Sequence, residues 1–302
     1  MLLDADATAA RLPCAALAAE IGLLLRDPAV QVPPRLVPEL PGGSHLFVMP
    51  AFDARVAIAK LISFTPANAG TGRPTIQGDV VVFDVATGTR RLVLDGPTVT
   101  ARRTAAVSLL AARLLAPQPD GPLLVIGAGV QGRAHVEAFV DGLGVREVLI
   151  ASRSTAGAEA LAARARALGA QASVVADADA ALPDCPLVVT CTPARAVVLH
   201  AAPRDDAFVA AVGAFTPAMC ELAPALVQHV QARGRIVVDT ADATHEAGDL
   251  LQAGIAVERL ATLADVVNGR CAPSREGPVL FKSCGWAGWD LAAARLALPA
   301  TG

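Results

Sequence analysis

Apolar runs and helical segments alternate over the second half of the chain. From position 123 to about 265, short runs of Leu, Val, Ile and Ala are separated by longer stretches in which apolar residues recur three and four positions apart. The pattern predicts strands at 123–126, 147–150, 172–175, 187–190, 208–212 and 235–239, with helices that include 133–143 and 155–168. This alternation is typical of an α/β fold with a doubly wound parallel sheet of about six strands.

The first part of the chain has a different pattern, in which a hairpin connects predicted strands. Strand-like runs at 46–49 and 54–63 precede two more, at 78–85 and 91–94, which residues 86–89 join into a β-hairpin. A helical segment interrupted at Pro13 precedes these runs, an amphipathic helix at 98–115 follows them, and a strand at 277–282 and a helix at 288–298 come late in the chain. We expect an α+β lobe from residues 1–116 and 278–302 and a Rossmann-type domain from residues 117–277.

Composition excludes several classes of partner. The 302 residues suffice for two lobes, and the net charge of −3 comes without a basic block, so we expect no nucleic-acid partner. No apolar run is long enough to span a bilayer, and the N-terminus lacks the pattern of a secretion signal. The six cysteines show no metal-ligand spacing. We expect a cytoplasmic protein with no membrane partner and no metal.

A glycine-rich turn follows the first strand of the Rossmann-type domain directly. The run Gly127-Ala128-Gly129-Val130-Gln131-Gly132 is a full G-x-G-x-x-G between a predicted strand and a predicted helix. The first glycine permits the tight turn, the second lets a pyrophosphate approach the backbone, and the third lets the helix pack on the strand. The context favours dinucleotide binding by Gly127, Gly129, Val130, Gln131 and Gly132 over a purely structural turn.

The end of the next strand indicates which dinucleotide binds. NAD-specific sites carry an acidic residue about twenty positions beyond the glycines, whereas this chain has Ser152 and Arg153 there. A hydroxyl and a guanidinium suit a 2′-phosphate. The alternative is that Arg153 is a solvated loop charge. We expect NADPH, with NADH possible.

Other candidates lie where further strands end, because ligands of doubly wound sheets lie outside the carboxyl ends of the strands. Thr190 and Thr192 follow one strand and Val212 and Gly213 another, with room there for a nicotinamide and its ribose. For the two threonines the alternative is a turn-forming hydroxyl. None of these segments has a nucleophile–base pair, so the cofactor would carry the reaction.

Cations outside the cofactor domain are a further signal. Lys60 stands in an otherwise apolar strand, and Arg102 and Arg103 are near a helix start, where positive charge is unfavourable unless an anion binds. Lys282 ends a late strand. Such cations would suit a pocket for a small carboxylate. The alternative is that each is a surface residue whose apolar stem lies along the protein while its charge stays in solvent. The residues alone indicate an NADP-dependent oxidoreductase of a small anionic substrate.

The motifs together resemble the ornithine cyclodeaminase/mu-crystallin family over nearly the whole chain. The stretches that carry the resemblance are Lys60, Gly78-Asp79-Val80 with Thr87-Gly88, 100–106, 127–132 with His135, 212–217 with Glu221 and Leu222, and Phe281-Lys282-Ser283 with Gly285 and Asp290. The resemblance implies a substrate-binding and dimerisation lobe, completed by the C-terminal helix, with a Rossmann domain. It therefore also implies a homodimer.

The resemblance also implies roles for individual residues. Arg103, with Lys60 and Arg35, is expected to bind the substrate carboxylate, and Thr104 to lie nearer the cofactor. Phe215 is expected to form an apolar wall against the substrate ring. His45 is a candidate proton donor, with a loop histidine of no role as the alternative, and the role of Lys282 is unassigned.

One departure from the family pattern separates its activities. Cyclodeaminases that this sequence resembles carry an aspartate at the position of Phe215, and phenylalanine cannot transfer a proton. The 212–217 segment and the run His45 to Pro50 are most similar to the branch that reduces Δ1-pyrroline-2-carboxylate to L-proline and Δ1-piperideine-2-carboxylate to L-pipecolate. Because one methylene changes binding by only about 1–3 kcal/mol, we expect both rings to be accepted. The alternatives are an alanine dehydrogenase-like or other imino-acid oxidoreductase, a mu-crystallin-like binder of NADPH and a small ligand, and, more weakly, a cyclodeaminase.

Overall fold

The computed structural model describes residues 1–68, 71–193, 196–271 and 276–299. The chain forms two compact units, one from Met1–Arg103 with Trp286–Gly302 and the other from Thr104–Gly285. These limits differ from the expected domain boundaries after residues 116 and 277. Both shifts leave the expected α+β lobe smaller and the other unit larger.

The first unit contains one antiparallel sheet. Its elements are α1 (Ala5–Arg11), α2 (Cys14–Leu24), β1 (Glu39–Leu40), β2 (Ser44–Phe52), β3 (Val56–Phe64), a 3₁₀ turn (Pro66–Asn68), β4 (Ile76–Asp84), β5 (Arg90–Asp95), the start of α3 (Gly96–Leu115) and the last helix of the chain (Ala287–Ala297). The strands lie in the order β1-β2-β3-β4-β5. The predicted hairpin is the β4–β5 pair, and Pro13 is where the first helical segment breaks into α1 and α2.

The alternation of side chains along β3 determines what its two faces contact. Val56, Ile58 and Ile62 are buried, and Lys60 lies on the same face of the strand, toward the last helix of the chain. Leu61, on the opposite face, is 47% exposed. Lys60 is therefore placed among core residues and not at the surface.

The second unit is built on an all-parallel sheet of eight strands. Its elements are β6 (Leu123–Ile126), α4 (Val130–Leu143), β7 (Glu147–Ala151), α5 (Thr155–Ala167), β8 (Gln171–Val174), α6 (Ala178–Ala181), β9 (Leu187–Thr190), β10 (Phe208–Ala211), α7 (Pro224–Arg233), β11 (Arg235–Val238), α8 (Ala243–Glu246), α9 (Gly248–Gln252), β12 (Ala261–Thr262), α10 (Leu263–Val267) and β13 (Val279–Lys282); the last helix of the chain is α11. The strand order is β12-β11-β13-β10-β9-β6-β7-β8. The expected Rossmann-type doubly wound α/β fold is confirmed, with more strands than predicted.

The position of β13 corrects the sequence-based assignment. The sequence placed residues from 278 onward in the first lobe, whereas β13 lies between β10 and β11 and is parallel to both. Its four residues are fully buried, as is typical of a central strand of a parallel sheet with both faces covered. Its place in the sheet depends on pairing with strands distant in sequence, which chain order does not reveal.

Two properties of the described residues bear on the expected partners. No single helix among them has the length and apolar composition to cross a membrane, although α1 and α2, bent by 65° at their junction, meet those two criteria as a pair. In the same ranges, no group of three or more His, Cys, Asp or Glu side chains could hold a metal ion.

Candidate active site

The glycine turn between β6 and α4 has the geometry that a dinucleotide requires. Gly127 has φ +115°, and a Cβ there would lie 2.8 Å from the carbonyl oxygen of Cys191. A Cβ on Gly132 would overlap the carbonyl oxygen of Gly127, so α4 packs closely on the turn. Gly129, by contrast, has no atom within 4 Å of its Cβ position, so the turn is open at this glycine.

The start of α4 adds hydrogen-bond donors to this open side. Gly129 is its N-cap and supplies no side chain to the first N–H groups, and Val130 is 69% exposed. The strand order also reverses here, because β6 continues to β7 on one side and lies beside β9 on the other. Dinucleotides bind at such a switch point with the pyrophosphate at the helix N-terminus. These residues therefore fit a nicotinamide dinucleotide.

The segment after β7 holds Arg153 at the surface. The Ser154 hydroxyl accepts from the N–H of Gly157 at 3.1 Å and caps α5, and the Ser152 hydroxyl accepts from the N–H of Ser154 at 3.2 Å. Arg153 is exposed, and within the described parts of the chain no carboxylate pairs with its guanidinium. The turn is thus fixed by its serines while the cation is left to solvent.

The segments after β9 and β10 are joined by a residue that sequence reasoning did not single out as a site residue. Thr192 donates to Oε1 of Glu221 from its N–H (2.7 Å) and its hydroxyl (2.9 Å), and the N–H of Gly213 donates to Oε2 at 2.6 Å. The N–H of Val212 donates to the carbonyl oxygen of Thr190 at 2.9 Å. The Thr192 hydroxyl therefore has a partner within the protein, which supports the alternative that this hydroxyl stabilises the turn. The cofactor roles of both segments stay predictions.

Glu221 belongs to a buried cluster with Asp249 and Lys282. Oδ1 of Asp249 accepts from the N–H of Glu221 at 2.6 Å, and Nζ of Lys282 lies 2.9 Å from Oδ2 of Asp249. Lys282 also donates to the carbonyl oxygen of Ala214 at 2.6 Å. Burial raises the pKa of Glu221, and the charge of Lys282 opposes that rise. Burial lowers the pKa of Lys282, but the carboxylates of Asp249 and Glu221 outweigh it, so the net direction is upward.

In the first unit, Lys60 and Arg103 share one carboxylate. Nζ of Lys60 lies 2.6 Å from Oδ2 of Asp290, and Nε of Arg103 lies 3.4 Å from Oδ1. All three residues are buried, with exposures of 1%, 7% and 0% for Lys60, Arg103 and Asp290. Burial lowers the pKa of Lys60 to about 8; Asp290 opposes the shift, and the charges of Arg103 and Arg35 add to it. The expected role of Lys60 and Arg103 in binding a substrate carboxylate stays a prediction.

The remaining predicted residues are placed as follows. Arg35 is half-buried and close enough to influence Lys60 electrostatically. His45 is half-buried on β2, with its ring 6.5 Å from that of Phe47. Met49 is the residue opposite Lys60, and His45 is four residues from it, about 13 Å along the strand. Nothing in this register brings His45 to Lys60.

Thr104 and Phe215 lie in the second unit. Thr104 is 8% exposed on α3, and Phe215 is 36% exposed in the segment after β10. Their predicted contacts with cofactor and substrate stay predictions. His135, which belongs to the glycine motif, is fully buried: Nδ1 is 2.8 Å from the carbonyl oxygen of Gln131 and Nε2 is 2.9 Å from the Ser108 hydroxyl.

Three carboxylates of these clusters were missed as site residues. In the sequence, Asp290 and Glu221 stand out only as motif positions, and Asp249 belongs to none of the motifs. A lysine inside an apolar strand requires a counter-ion, so Lys60 and Lys282 each signalled a buried acid. The sequence could not indicate which acid, because each partner comes from a distant part of the chain.

Comparisons with known proteins found relatives of this chain. Residues 15–298 match the sequence model of the ornithine cyclodeaminase/mu-crystallin family. A Delta(1)-pyrroline-2-carboxylate reductase 1 of Burkholderia multivorans is 42% identical over 299 residues, covering 97% of this chain and 94% of that protein. A Delta(1)-pyrroline-2-carboxylate/Delta(1)-piperideine-2-carboxylate reductase of Azospirillum brasilense is 41% identical over 298 residues, with coverage of 97% and 94%.

One solved structure shows the same fold. It is that of Thermococcus litoralis Delta(1)-pyrroline-2-carboxylate reductase in complex with NADH and L-proline, which matches with a TM-score of 0.90 over 98% of this chain and 96% of that chain, at 24% identity. The resemblance inferred from the motifs is confirmed.

Proposed function

This chain belongs to the ornithine cyclodeaminase/mu-crystallin family, and we propose that within it the protein reduces cyclic ketimines with a nicotinamide cofactor. The substrates are Δ1-pyrroline-2-carboxylate and Δ1-piperideine-2-carboxylate, and the products are L-proline and L-pipecolate. Support comes from two relatives that are more than 40% identical over nearly the full chain: one is a reductase of Δ1-pyrroline-2-carboxylate, and the other is a reductase of Δ1-pyrroline-2-carboxylate and Δ1-piperideine-2-carboxylate.

One observation carries the proposal at the level of residues: two buried cations share a single buried carboxylate. Lys60 and Arg103 contribute two positive charges and Asp290 one negative charge, so the cluster retains one positive charge away from solvent. An unbalanced buried charge is unfavourable, and a substrate carboxylate would balance it. Both substrates carry one carboxylate, adjacent to the imine carbon.

The chemistry of the cluster suits an imine. A bound reduced nicotinamide supplies a hydride to the C2 carbon of the ring. Arg103 would bind the carboxylate through its guanidinium, and Lys60 would donate a proton to the ring nitrogen. A pKa of about 8 leaves Lys60 mostly protonated at neutral pH yet able to give up the proton, which is the balance that a general acid requires.

The choice of cofactor is part of the proposal. The Arg153 guanidinium, exposed beside Ser152 at the end of β7, suits the 2′-phosphate of NADPH. Positions 152 and 153 hold serine and arginine, so neither supplies a carboxylate that could accept a hydrogen bond from a ribose 2′-hydroxyl. We therefore propose a preference for NADPH over NADH.

The segment after β10, which contains Phe215, argues against a deamination reaction. Phe215 provides no proton at the position where cyclodeaminases of the family carry an aspartate. Within the second unit, the neighbouring acid Glu221 is fully buried and accepts from Thr192 and Gly213, so it is not a replacement donor at the surface of this segment.

The proposal is tested by NADPH oxidation at 340 nm with freshly generated Δ1-pyrroline-2-carboxylate and Δ1-piperideine-2-carboxylate. The expected result is rapid oxidation with both imines and formation of L-proline or L-pipecolate, with slower turnover of NADH. Ornithine with NAD⁺, and pyruvate with ammonia, are the controls for a cyclodeaminase and an alanine dehydrogenase. Binding of NADPH with no turnover of either imine would contradict the proposal and favour a mu-crystallin-like binder.

We also propose that the protein is a homodimer of the cytoplasm. Leu61 and Phe52 lie on the face of the five-stranded sheet opposite Lys60, and they are 47% and 40% exposed. Apolar side chains exposed on one face of a sheet are available for burial against a second copy of the chain. Sedimentation of the wild type and of a Leu61→Lys variant tests this: the wild type should sediment as a dimer, and the variant should dissociate.

A further inference from the structure

The buried cluster of Glu221, Asp249 and Lys282 lies at the carboxyl side of the parallel sheet. Its hydrogen bonds reach Thr192 after β9 and Gly213 and Ala214 after β10, and Lys282 is itself the last residue of β13. It is therefore placed beneath the segments that follow three adjacent strands of the half of the sheet beyond the switch point.

General rules for doubly wound folds relate this half of the sheet to the cofactor. The dinucleotide crosses the switch point, with one nucleotide over each half of the sheet. The turn after β6 and the Arg153 segment after β7 account for the pyrophosphate and the adenosine side. The segments after β9 and β10 are then on the nicotinamide side.

The charges of the cluster do not cancel. Glu221 and Asp249 are acids and Lys282 is their one cation, and no second cation in the described parts of the chain pairs with either carboxylate. Burial raises the pKa of Glu221, but its Oε1 and Oε2 accept from three donors, two from Thr192 and one from Gly213, and these together with the charge of Lys282 favour the ionised carboxylate. All three residues are fully buried, so solvent screens the remaining negative charge weakly.

We propose that the Glu221–Asp249–Lys282 cluster makes the bound cofactor a stronger hydride donor by stabilising its oxidised form. A nicotinamide ring that gives up a hydride gains one positive charge, and a nearby buried negative charge favours that state over the neutral reduced ring. The inference rests on the proposed function only in requiring a nicotinamide cofactor. It assigns Glu221 and Asp249 as electrostatic positioning residues, which act on the cofactor and not on the substrate.

The test is the ratio of two dissociation constants, measured by calorimetry without substrate. For each protein, Kd is determined for NADP⁺ and for NADPH, or for the NAD pair if the wild type binds that pair more tightly. Glu221→Gln and Asp249→Asn each remove one negative charge while keeping a similar side-chain shape. In both variants the ratio of Kd for the oxidised form to Kd for the reduced form should rise, on the order of tenfold.

The two variants separate charge from structure. Asp249→Asn retains an oxygen that can accept from the N–H groups of Glu221 and Leu222 and leaves the contacts of Glu221 with Thr192 and Gly213 in place. A purely structural role predicts equal weakening of both cofactor forms, mainly in Glu221→Gln. An unchanged ratio in both variants would overturn the inference.

A matched control uses another buried acid of the same unit. Asp239 accepts from Ser283, Cys284 and Gly285 after β13, and among the described residues no hydrogen bond joins its side chain to the segment after β9 or to that after β10. Asp239→Asn should change the ratio less than the other two variants, and an equal change would overturn the assignment to this cluster. If the wild type binds neither cofactor form, the proposed function fails. If the wild type binds both forms and the Glu221 and Asp249 variants leave the ratio of the two Kd values unchanged, the charge inference alone fails.

Discussion

Lys60 of β3 and Asp290 of α11 form an ion pair of 2.6 Å in which neither side chain is exposed beyond 1%. Burial lowers the pKa of this lysine to about 8. The two residues come from the early and the late segment of the first unit, so the pair forms only when these segments pack together. The pair also fixes the ammonium group beside Arg103, the second cation of the cluster.

Replacement of Lys60 should change the pH dependence of imine reduction. If Lys60 donates the proton, kcat/KM for the wild type should fall as pH rises through about 8, by about tenfold per pH unit above it. Lys60→Arg keeps the positive charge, but a guanidinium loses its proton only at far higher pH, so the fall of kcat/KM above about pH 8 (the alkaline limb of the profile) should be lost. The measurement is the pH profile of kcat/KM with Δ1-pyrroline-2-carboxylate.

A second variant separates ionisation of Lys60 from ionisation of the substrate itself. Because Asp290 supports the protonated form of Lys60, Asp290→Asn should move the limb to lower pH. The ionisation of the imine affects all three proteins equally. A limb at the same pH in every protein would show that Lys60 is not the donor.

Removal of Asp290 should also destabilise the fold. Lys60 and Arg103 would be left buried without their counter-ion, and breaking a buried pair in this way costs about 3–5 kcal/mol of unfolding free energy. Urea denaturation of Asp290→Asn measures it. Arg91→Gln, which breaks the more exposed pair with Asp84, is the control and should change little. Equal effects of the two variants would contradict a buried, uncompensated cluster.

Arg153 should determine the choice between NADPH and NADH. Loss of a charge-assisted contact to a 2′-phosphate should raise KM for NADPH by about tenfold to a hundredfold in Arg153→Ala, with little change for NADH. Steady-state kinetics with both cofactors measure this. Arg146→Ala, another exposed arginine at the opposite end of β7, is the control. An equal rise of KM for both cofactors would show that Arg153 does not bind the 2′-phosphate.

Two alanine substitutions in the glycine turn should have different effects, one on cofactor binding and the other on stability. Gly129→Ala adds a methyl group into open space, so Tm should be maintained while cofactor binding weakens by tenfold or more, because the pyrophosphate needs that space. Gly132→Ala overlaps the carbonyl oxygen of Gly127 and should lower Tm itself. Thermal unfolding and cofactor titration of both variants measure these effects. A stable Gly132→Ala protein with normal affinity would contradict the packing described.

His135 should make the protein sensitive to moderate acid. Burial lowers the pKa of His135 to about 4 from 6.5, so between these values the unfolded chain binds the proton and the folded chain does not. The unfolding free energy should therefore fall as pH drops through this window, by about 3 kcal/mol at 1.36 kcal/mol per unit. Urea denaturation at pH 7 and pH 4 measures the loss. It should shrink in His135→Gln and persist in the control His245→Gln, which changes an exposed residue.

Features encoded over short stretches of sequence could be predicted. The strand before Gly127, the turn itself and the helix after it depend on neighbouring residues, and the structure has them as β6, an open turn and α4. Lys60 could be singled out because a charge inside an apolar strand is unfavourable unless it has a purpose or a partner.

Features that depend on distant residues could not be predicted. Asp290 becomes the partner of Lys60 only after α11 packs on β3, and Glu221 meets Thr192 only after the segment beyond β10 folds back. The place of β13 in the sheet has the same origin. Hydrophobic pattern shows that a segment is buried but not which segment it is buried against.

The insertion of β13 between β10 and β11 also constrains how the chain acquires its structure during synthesis. β8, β7, β6, β9 and β10 can pair as soon as residue 211 has emerged, but β10 then has one unpaired edge until Val279–Lys282 arrives. Such an edge is open to pairing with other chains. A ribosome-bound or truncated chain that ends before residue 279 should therefore depend on chaperones, and loss of this late strand would remove both the link between β10 and β11 and Lys282.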